Sequence, residues 1–271
     1  VTISSLDEVI AGNLPPVDFR KIRLVNFEAA SQLASLAYVG GWPGAAVAPS
    51  PGLAGVALTS YGGQLPFTNP APGDATYLAY FEVDASSTCT MYLVDRLWHN
   101  SAIVVTTTTA QVINSVAWPP RDRNGSTNGN GVVVGIEVST ATTNAGAIAN
   151  TTMSYTNSDG VAGRTATIPN FPATAASSTF VPFSLMTGDI GVQSIQSVTL
   201  GTSYASGAIH LVAYLTLSRQ GVCVANTESA KDATTGSFPL LFDNTVPFLL
   251  VLPTAASAPL TFSGVVVYAQ G

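Results

Sequence analysis

Charge is what this sequence has least of. Asp, Glu, Lys and Arg make up 9% of its 271 residues, against roughly a quarter in an ordinary soluble domain. Nine residues are basic and fifteen acidic, for a net charge of −6. Duplex nucleic acid is held by several phosphate contacts at once. The scattered basic residues form no such stripe, and only Arg121, Arg123 and Arg164 lie near glycine-rich sequence. Direct nucleic-acid binding is not expected.

Histidine and cysteine are equally sparse, with two of each. No closely spaced Cys/His set of the kind that holds zinc is present. Cys89 and Cys223 lie in the strand-like contexts STCTMYLV and QGVCVAN. A disulfide and a pair of buried thiols are both open, because spacing cannot show that the two Cα atoms approach. Long apolar runs are missing too. FPLLF and VPFLLVLP are cut by proline and fall far short of the roughly 20 residues that span a bilayer. No membrane partner is expected.

Small residues fill the space: Ala, Val, Thr, Ser, Gly, Asn and Pro. A surface of hydroxyls, amides and small apolar groups has little charge-based solubility. It suits a chain whose outer faces are covered by neighbouring subunits. It also suits a secreted or particle-bound protein that meets changing ionic strength, since it has few surface ion pairs to screen. A neutral polar coat on a free protein is the plainer alternative.

The N-terminal residues 1–73 read as an arm. SSLDEVIAGN has the capping-box spacing at Ser5 and Glu8 and stops at Gly12-Asn13, which predicts a short helix. RKIRLVNF reads as a strand. FEAASQLASLAYV keeps apolar residues at helical spacing up to Gly40-Gly41 and predicts a second helix. Residues 41–73 are punctuated by glycine and proline and read as an irregular segment with one short strand in GVALTS. Such a segment within a compact domain is unusual and often crosses a neighbour.

From residue 74 the apolar period becomes two. In TYLAYFEVDA, Tyr77, Ala79, Phe81 and Val83 fall on one face. Short β-branched or aromatic runs follow, including SAIVVTTTTAQVI, NGVVVGIEVSTAT, GAIHLVAYLTLSR and PLTFSGVVVYAQ, separated by turn residues. No set of helices alternates with them, so a parallel βαβ sheet is not expected. The predicted fold is all-β: an antiparallel β-sandwich or jelly-roll-like body over residues 74–271, behind the helix-containing arm. One sandwich, or two sub-blocks near 74–160 and 161–271, are both open.

Several residues qualify as site candidates. In MSYTNSDGVAGR, Asp159-Gly160 has the chemistry of a hairpin turn. As a phosphate cradle the stretch fails, with no Lys-Ser/Thr after its glycines. In RDRNGSTNGNG, Asp122, Asn124, Ser126 and Asn128 alternate like the start of a calcium loop. Its twelfth position is Val133 rather than Glu, so the cation reading loses its bidentate ligand and the plain reading is an exposed loop. Tyr155 and Asn157, with Asp122, Asn124 and Asn128, are candidate partner or glycan contacts. Trp42, Trp98 and Trp118 are available as apolar platforms for sugar, although strand aromatics usually fill cores. In a helical setting Asp95 and His99 would pair. His210 lies mid-strand and reads as interfacial rather than as a base. Carboxylate pairs for glycoside hydrolysis, Glu82 with Asp84 or Glu137 with Asp159, are not selected by any spacing. No G-x-S-x-G elbow occurs.

Taken whole, the chain resembles virion structural proteins, particularly those of tailed bacteriophages. The resemblance lies in few charges, abundant Ala, Thr, Val and Gly, an N-terminal arm and a β-rich body, and it covers most of the sequence. It implies a capsid, decoration or tail component located in the virion. Such a protein acts as a homo-oligomer through copies of itself and other virion proteins, with no cofactor and no catalytic residues. The alternatives are a carbohydrate-binding β-sandwich or adhesin that meets a host-surface glycan, and a polysaccharide-active hydrolase.

Overall fold

The computed structural model describes residues 3–24, 32–236, 238–255 and 259–271. Among them one short helix, α1 (Leu6–Ala11), precedes seventeen strands. Its start is the capping box: the Ser5 hydroxyl accepts from the Glu8 N–H, and the Glu8 carboxylate accepts from the Ser5 N–H. Every strand pairing is antiparallel, and the strands form three sheets. The all-β antiparallel expectation holds.

The first sheet runs β14 (Ser229–Asp232), β5 (Thr76–Ala85), β17 (Leu260–Gln270), β1 (Val17–Arg23), β3 (Gly40–Trp42), with β15 (Leu240–Leu241) also on β5. The second runs β10 (Arg164–Phe171), β9 (Ile148–Asn157), β12 (Val192–Thr199), β7 (Gln111–Val112). The third runs β13 (Ala208–Val222), β8 (Val132–Thr140), β11 (Thr179–Pro182), β2 (Leu33–Ser35), β16 (Pro247–Pro253), β6 (Cys89–His99), β4 (Val56–Ala57). Strand β13 pairs with β6 as well as β8, so this sheet closes on itself and only β4 hangs outside the ring. Closure removes the exposed edges that the lysine-poor sequence does not protect.

The wall β6–β13–β8 is buried on both faces. Val94, Val212 and Tyr214 join Phe180, Phe248 and Leu250 inside the barrel. Leu93, Leu211, Ala213 and Ile136 belong to a larger cluster shared with Phe81, Phe262 and Val266 of the first sheet and with Met153, Tyr155 and Ile195 of the second. These strands therefore read as nearly continuous apolar runs rather than alternating ones.

Four expectations need correction. The helix predicted over FEAASQLASLAYV falls partly on residues 27–31, which lie outside those described. Its remainder is strand β2 followed by a turn, with Ala34 and Leu36 in the core; tertiary pairing with β11 and β16 overrides helical spacing. The stretch around Asp95 and His99 is β6, not helix. In SAIVVTTTTAQVI only Gln111–Val112 is strand. There the Gln111 side chain takes a strand partner's place, accepting from Val104 N–H at 2.8 Å and donating to Val104 C=O at 3.0 Å. In β5 the predicted face slips, because Ala79 is skipped between the pairs Tyr80–Val267 and Leu78–Tyr268. This bulge turns Leu78 inward together with Phe81; one inserted residue reverses the parity of a strand.

Residues 1–73 are woven into these sheets. Strand β1 lies between β17 and β3, β2 lies between β11 and β16, and β4 pairs with β6. Leu36, Leu58 and Leu65 are buried.

Candidate functional site

Part of the scarce charge lies inside. Lys21, Arg23, Asp95, Arg96, Arg121, Asp122 and Glu137 are all buried. Within the barrel, Arg96 from β6 meets Glu137 from β8 through two bonds, Nη1 to Oε1 at 2.9 Å and Nη2 to Oε2 at 2.7 Å. Tyr214 donates to Glu137 at 2.8 Å and accepts from Arg96 at 2.5 Å, and Tyr38 donates to Glu137 at 2.9 Å. The guanidinium also faces the rings of Tyr61, Tyr214 and Phe248 at 4.9–5.7 Å. Burial by itself would push the Glu137 carboxyl up, but the Arg96 charge and its hydrogen bonds override it and hold the group at about 2. Glu137 is therefore the counter-ion of Arg96.

Both histidines border this pair. Arg96 Nε donates to His99 Nδ1 at 3.3 Å, and the His99 ring stands edge-on to Tyr61. Burial, and then the positive Arg96, push His99 down to about 3. His210, opposite Glu137 in the ladder, has its Nδ1 at 3.1 Å from the Asn100 carbonyl and its Nε2 at 2.6 Å from the Ser139 hydroxyl. A carbonyl only accepts, so Nδ1 carries the proton and Nε2 accepts from Ser139. Burial lowers the His210 pKa. Asp95 pairs with Arg121 at 2.7 and 3.1 Å rather than with His99, and it also accepts from Val246 N–H at 2.8 Å.

The polar loops singled out in the sequence meet at one end of the molecule. Asp122 is enclosed by its own loop, accepting from the N–H groups of Asn124, Ser126 and Asn130 and from the Ser126 hydroxyl at 2.8–2.9 Å. Its carboxylate closes a turn, while Asn124 and Asn128 stay at the surface. Among the described residues no three His, Cys, Asp or Glu side chains gather as a metal centre. Gly129 has φ +79°, and a Cβ there would lie 1.9 Å from the Val192 carbonyl oxygen. Glycine therefore lets this loop lie against 186–193, where Gly131 N–H donates to Ile190 C=O at 3.2 Å.

The stretch 153–164 forms the end of the β9–β10 hairpin, with Gly160 at φ +78°. Asn157 organises the turn rather than Asp159, since its Oδ1 accepts from Asp159 N–H at 3.1 Å and Val161 N–H at 2.9 Å. The residue that sequence reading missed is Asp189. It accepts from Asn157 at 2.8 Å, from Arg164 at 2.9 and 3.0 Å, and from the Tyr155 hydroxyl. Hydrogen bonds from Arg164, Tyr155 and Asn157 hold its carboxyl at about 2. Only the approach of a distant loop reveals it; TGDIG by itself reads as a turn. Tyr155 is wholly buried and Asn157 nearly so; the Tyr155 hydroxyl and the Asn157 amide nitrogen face Asp189, and the Asn157 amide oxygen faces the turn. Trp98 and Trp118 are buried against each other at 5.2 Å. Cys89 is a buried free thiol and Cys223 an exposed one. No helix among the described residues is long and apolar enough to cross a membrane.

No protein-family model matches this chain, and no curated protein does. Among solved structures it aligns with the infectious bursal disease virus Gx strain at 12% identity, over 94% of this chain and 81% of that one, with a TM-score of 0.19. The infectious bursal disease virus VP2 subviral particle aligns at 11% identity, over 95% and 80%, also with a TM-score of 0.19. Superposition at that level carries no argument about this chain.

Proposed function

We propose that this protein is a non-catalytic structural subunit of a virus particle, acting through contacts with neighbouring copies and other virion proteins. The observation that carries the reading is the loop end of the molecule. Its carboxylates Asp122 and Asp189 are engaged internally and Asp159 and Arg123 are exposed, while Val161, Met186 and Ile190 are 50%, 42% and 56% exposed there. A partly apolar surface with few exposed charges suits a subunit interface, where unpaired charge is costly to desolvate. The low charge and small-residue composition favour a capsid, decoration or tail component of a tailed bacteriophage over a free adhesin or hydrolase.

The test is molar mass by light scattering over a concentration and salt series. A discrete oligomer or closed particle that is insensitive to salt is expected, and Val161→Asp with Ile190→Asp should dissociate it without lowering the melting temperature. A monomer that persists at high concentration would overturn the reading.

A further inference from the structure

Trp42 is the tryptophan that the fold leaves outside: it is 61% exposed, while Trp98 and Trp118 are buried. It is nevertheless firmly held. Trp42 pairs with Arg20 across β1 and β3. Gly41, at φ +123°, brings the backbone so close to β1 that a Cβ would lie 2.0 Å from the Arg20 carbonyl oxygen. Beneath the strand the buried Lys21 ammonium donates to the carbonyls of Val39, Pro43 and Gly44 at 3.4, 2.6 and 3.1 Å. Those carbonyls flank Trp42 on both sides in the chain. The ring lies outside the buried clusters, yet two independent devices fix its backbone. Pre-organising an exposed aromatic cuts the ordering cost of binding.

The indole borders a groove of about 390 Å³ walled by Pro15, Pro16 and Pro66, with Asp18 and Thr68 also lining it. Asp18 is exposed on the strand that carries Arg20. Proline-rich peptides dock on grooves built from several aromatic side chains, whereas the other aromatic lining this one, Tyr268, is 2% exposed. One aromatic face beside a carboxylate and a hydroxyl matches a pyranose ring, which offers C–H groups to the indole and hydroxyls to the acceptors. The adjoining hollow, also bordered by Asp18, carries Glu82, Asp84 and Glu228 against Arg20 alone. That negative field excludes sialylated or sulfated sugars.

We propose that the Trp42 groove binds a neutral hexopyranose unit of a surface glycan. This does not depend on the assembly reading, since the groove lies on the first sheet and not at the loop end. The experiment titrates the full chain with diacetylchitobiose, mannobiose and lactose as neutral probes and sialyllactose as the anionic one. Calorimetry and tryptophan emission are the two readouts. Saturable binding of at least one neutral probe is expected, with sialyllactose inert. Trp42→Ala should weaken the calorimetric affinity about tenfold or more, as an aromatic anchor does, and Asp18→Asn by a smaller factor, both with unchanged melting temperature. The proposal is overturned if no neutral probe saturates, if sialyllactose binds equally well, or if Trp42→Ala binds like the parent. It is equally overturned if Trp42→Ala alters only the oligomeric mass, which would make the groove a contact between copies.

Discussion

The guanidinium of Arg96 and the carboxylate of Glu137 lie fully enclosed in the barrel, joined by bonds of 2.9 and 2.7 Å. Taking two ions out of water is costly, and only good geometry with every remaining donor and acceptor satisfied offsets it. Here Tyr38 and Tyr214 complete the carboxylate, and His99 accepts from the third guanidinium nitrogen. Removing one partner strands the other. Glu137→Gln and Arg96→Met are each expected to destabilise by about 3–5 kcal/mol in urea unfolding. The double variant Arg96→Met/Glu137→Leu should recover much of that loss. If the double variant were as unstable as the sum of the singles, the pair would not be acting as a unit.

Acid sensitivity follows from the same cluster. The His99 pKa is depressed from 6.5 to about 3. The fold therefore disfavours the imidazolium, and stability present above pH 6.5 is lost as pH falls toward 3. Glu137 is depressed from 4.5 to about 2, so its contribution is present above pH 4.5 and lost as pH falls toward 2. Both act in the same direction. The urea midpoint should be level near neutrality, decline below about pH 6.5 and fall more steeply below about pH 4.5. Substituting His99→Gln should shrink the upper part of that decline, leaving the share from His210, whose pKa burial also lowers, and should leave the lower part in place. A profile level down to pH 4 would contradict the placement of His99 beside Arg96.

The hairpin at 157–160 separates two residues that the sequence presents as one turn. Asn157→Ala removes an acceptor of two turn N–H groups and a donor to Asp189, and should cost about 1–2 kcal/mol. Gly160→Ala forces a side chain into φ +78° and should cost about 1–2 kcal/mol. Asp159→Ala should change stability by less than about 0.5 kcal/mol, as a surface substitution does. Equal effects of Asn157→Ala and Asp159→Ala in thermal unfolding would refute the assignment.

The fold class was legible because burial of one strand face writes itself as period two, and because Gly, Asn and Asp mark the turns. The capping box at Ser5 was legible for a similar reason: both partners lie within one turn of chain. What could not be read was anything made by distant segments. The ring closes only because β13 meets β6. Asp189 becomes a hub only when its loop folds under Tyr155. The bulge at Ala79 inverts a face without leaving a mark in composition. Tyr155 and Asn157 are candidate contacts by their place at a strand end, and their bonds to the Asp189 carboxylate come from a distant loop.

The N-terminal segment gives the last prediction. A detachable arm would leave strand content intact when removed. Residues 1–40, however, supply β1, which pairs along its length with β17, and β2, which bridges β11 and β16 in the barrel. Deleting them exposes the β17 edge, opens the ring and uncovers the aromatic cluster around Arg96 and Phe248. Open apolar edges aggregate. Residues 41–271 are therefore expected to lose near-ultraviolet circular dichroism and cooperative unfolding, and not merely to change in oligomeric mass. A truncated chain that still melts cooperatively, with its near-ultraviolet signal intact, would show instead that the remaining strands close the barrel unaided.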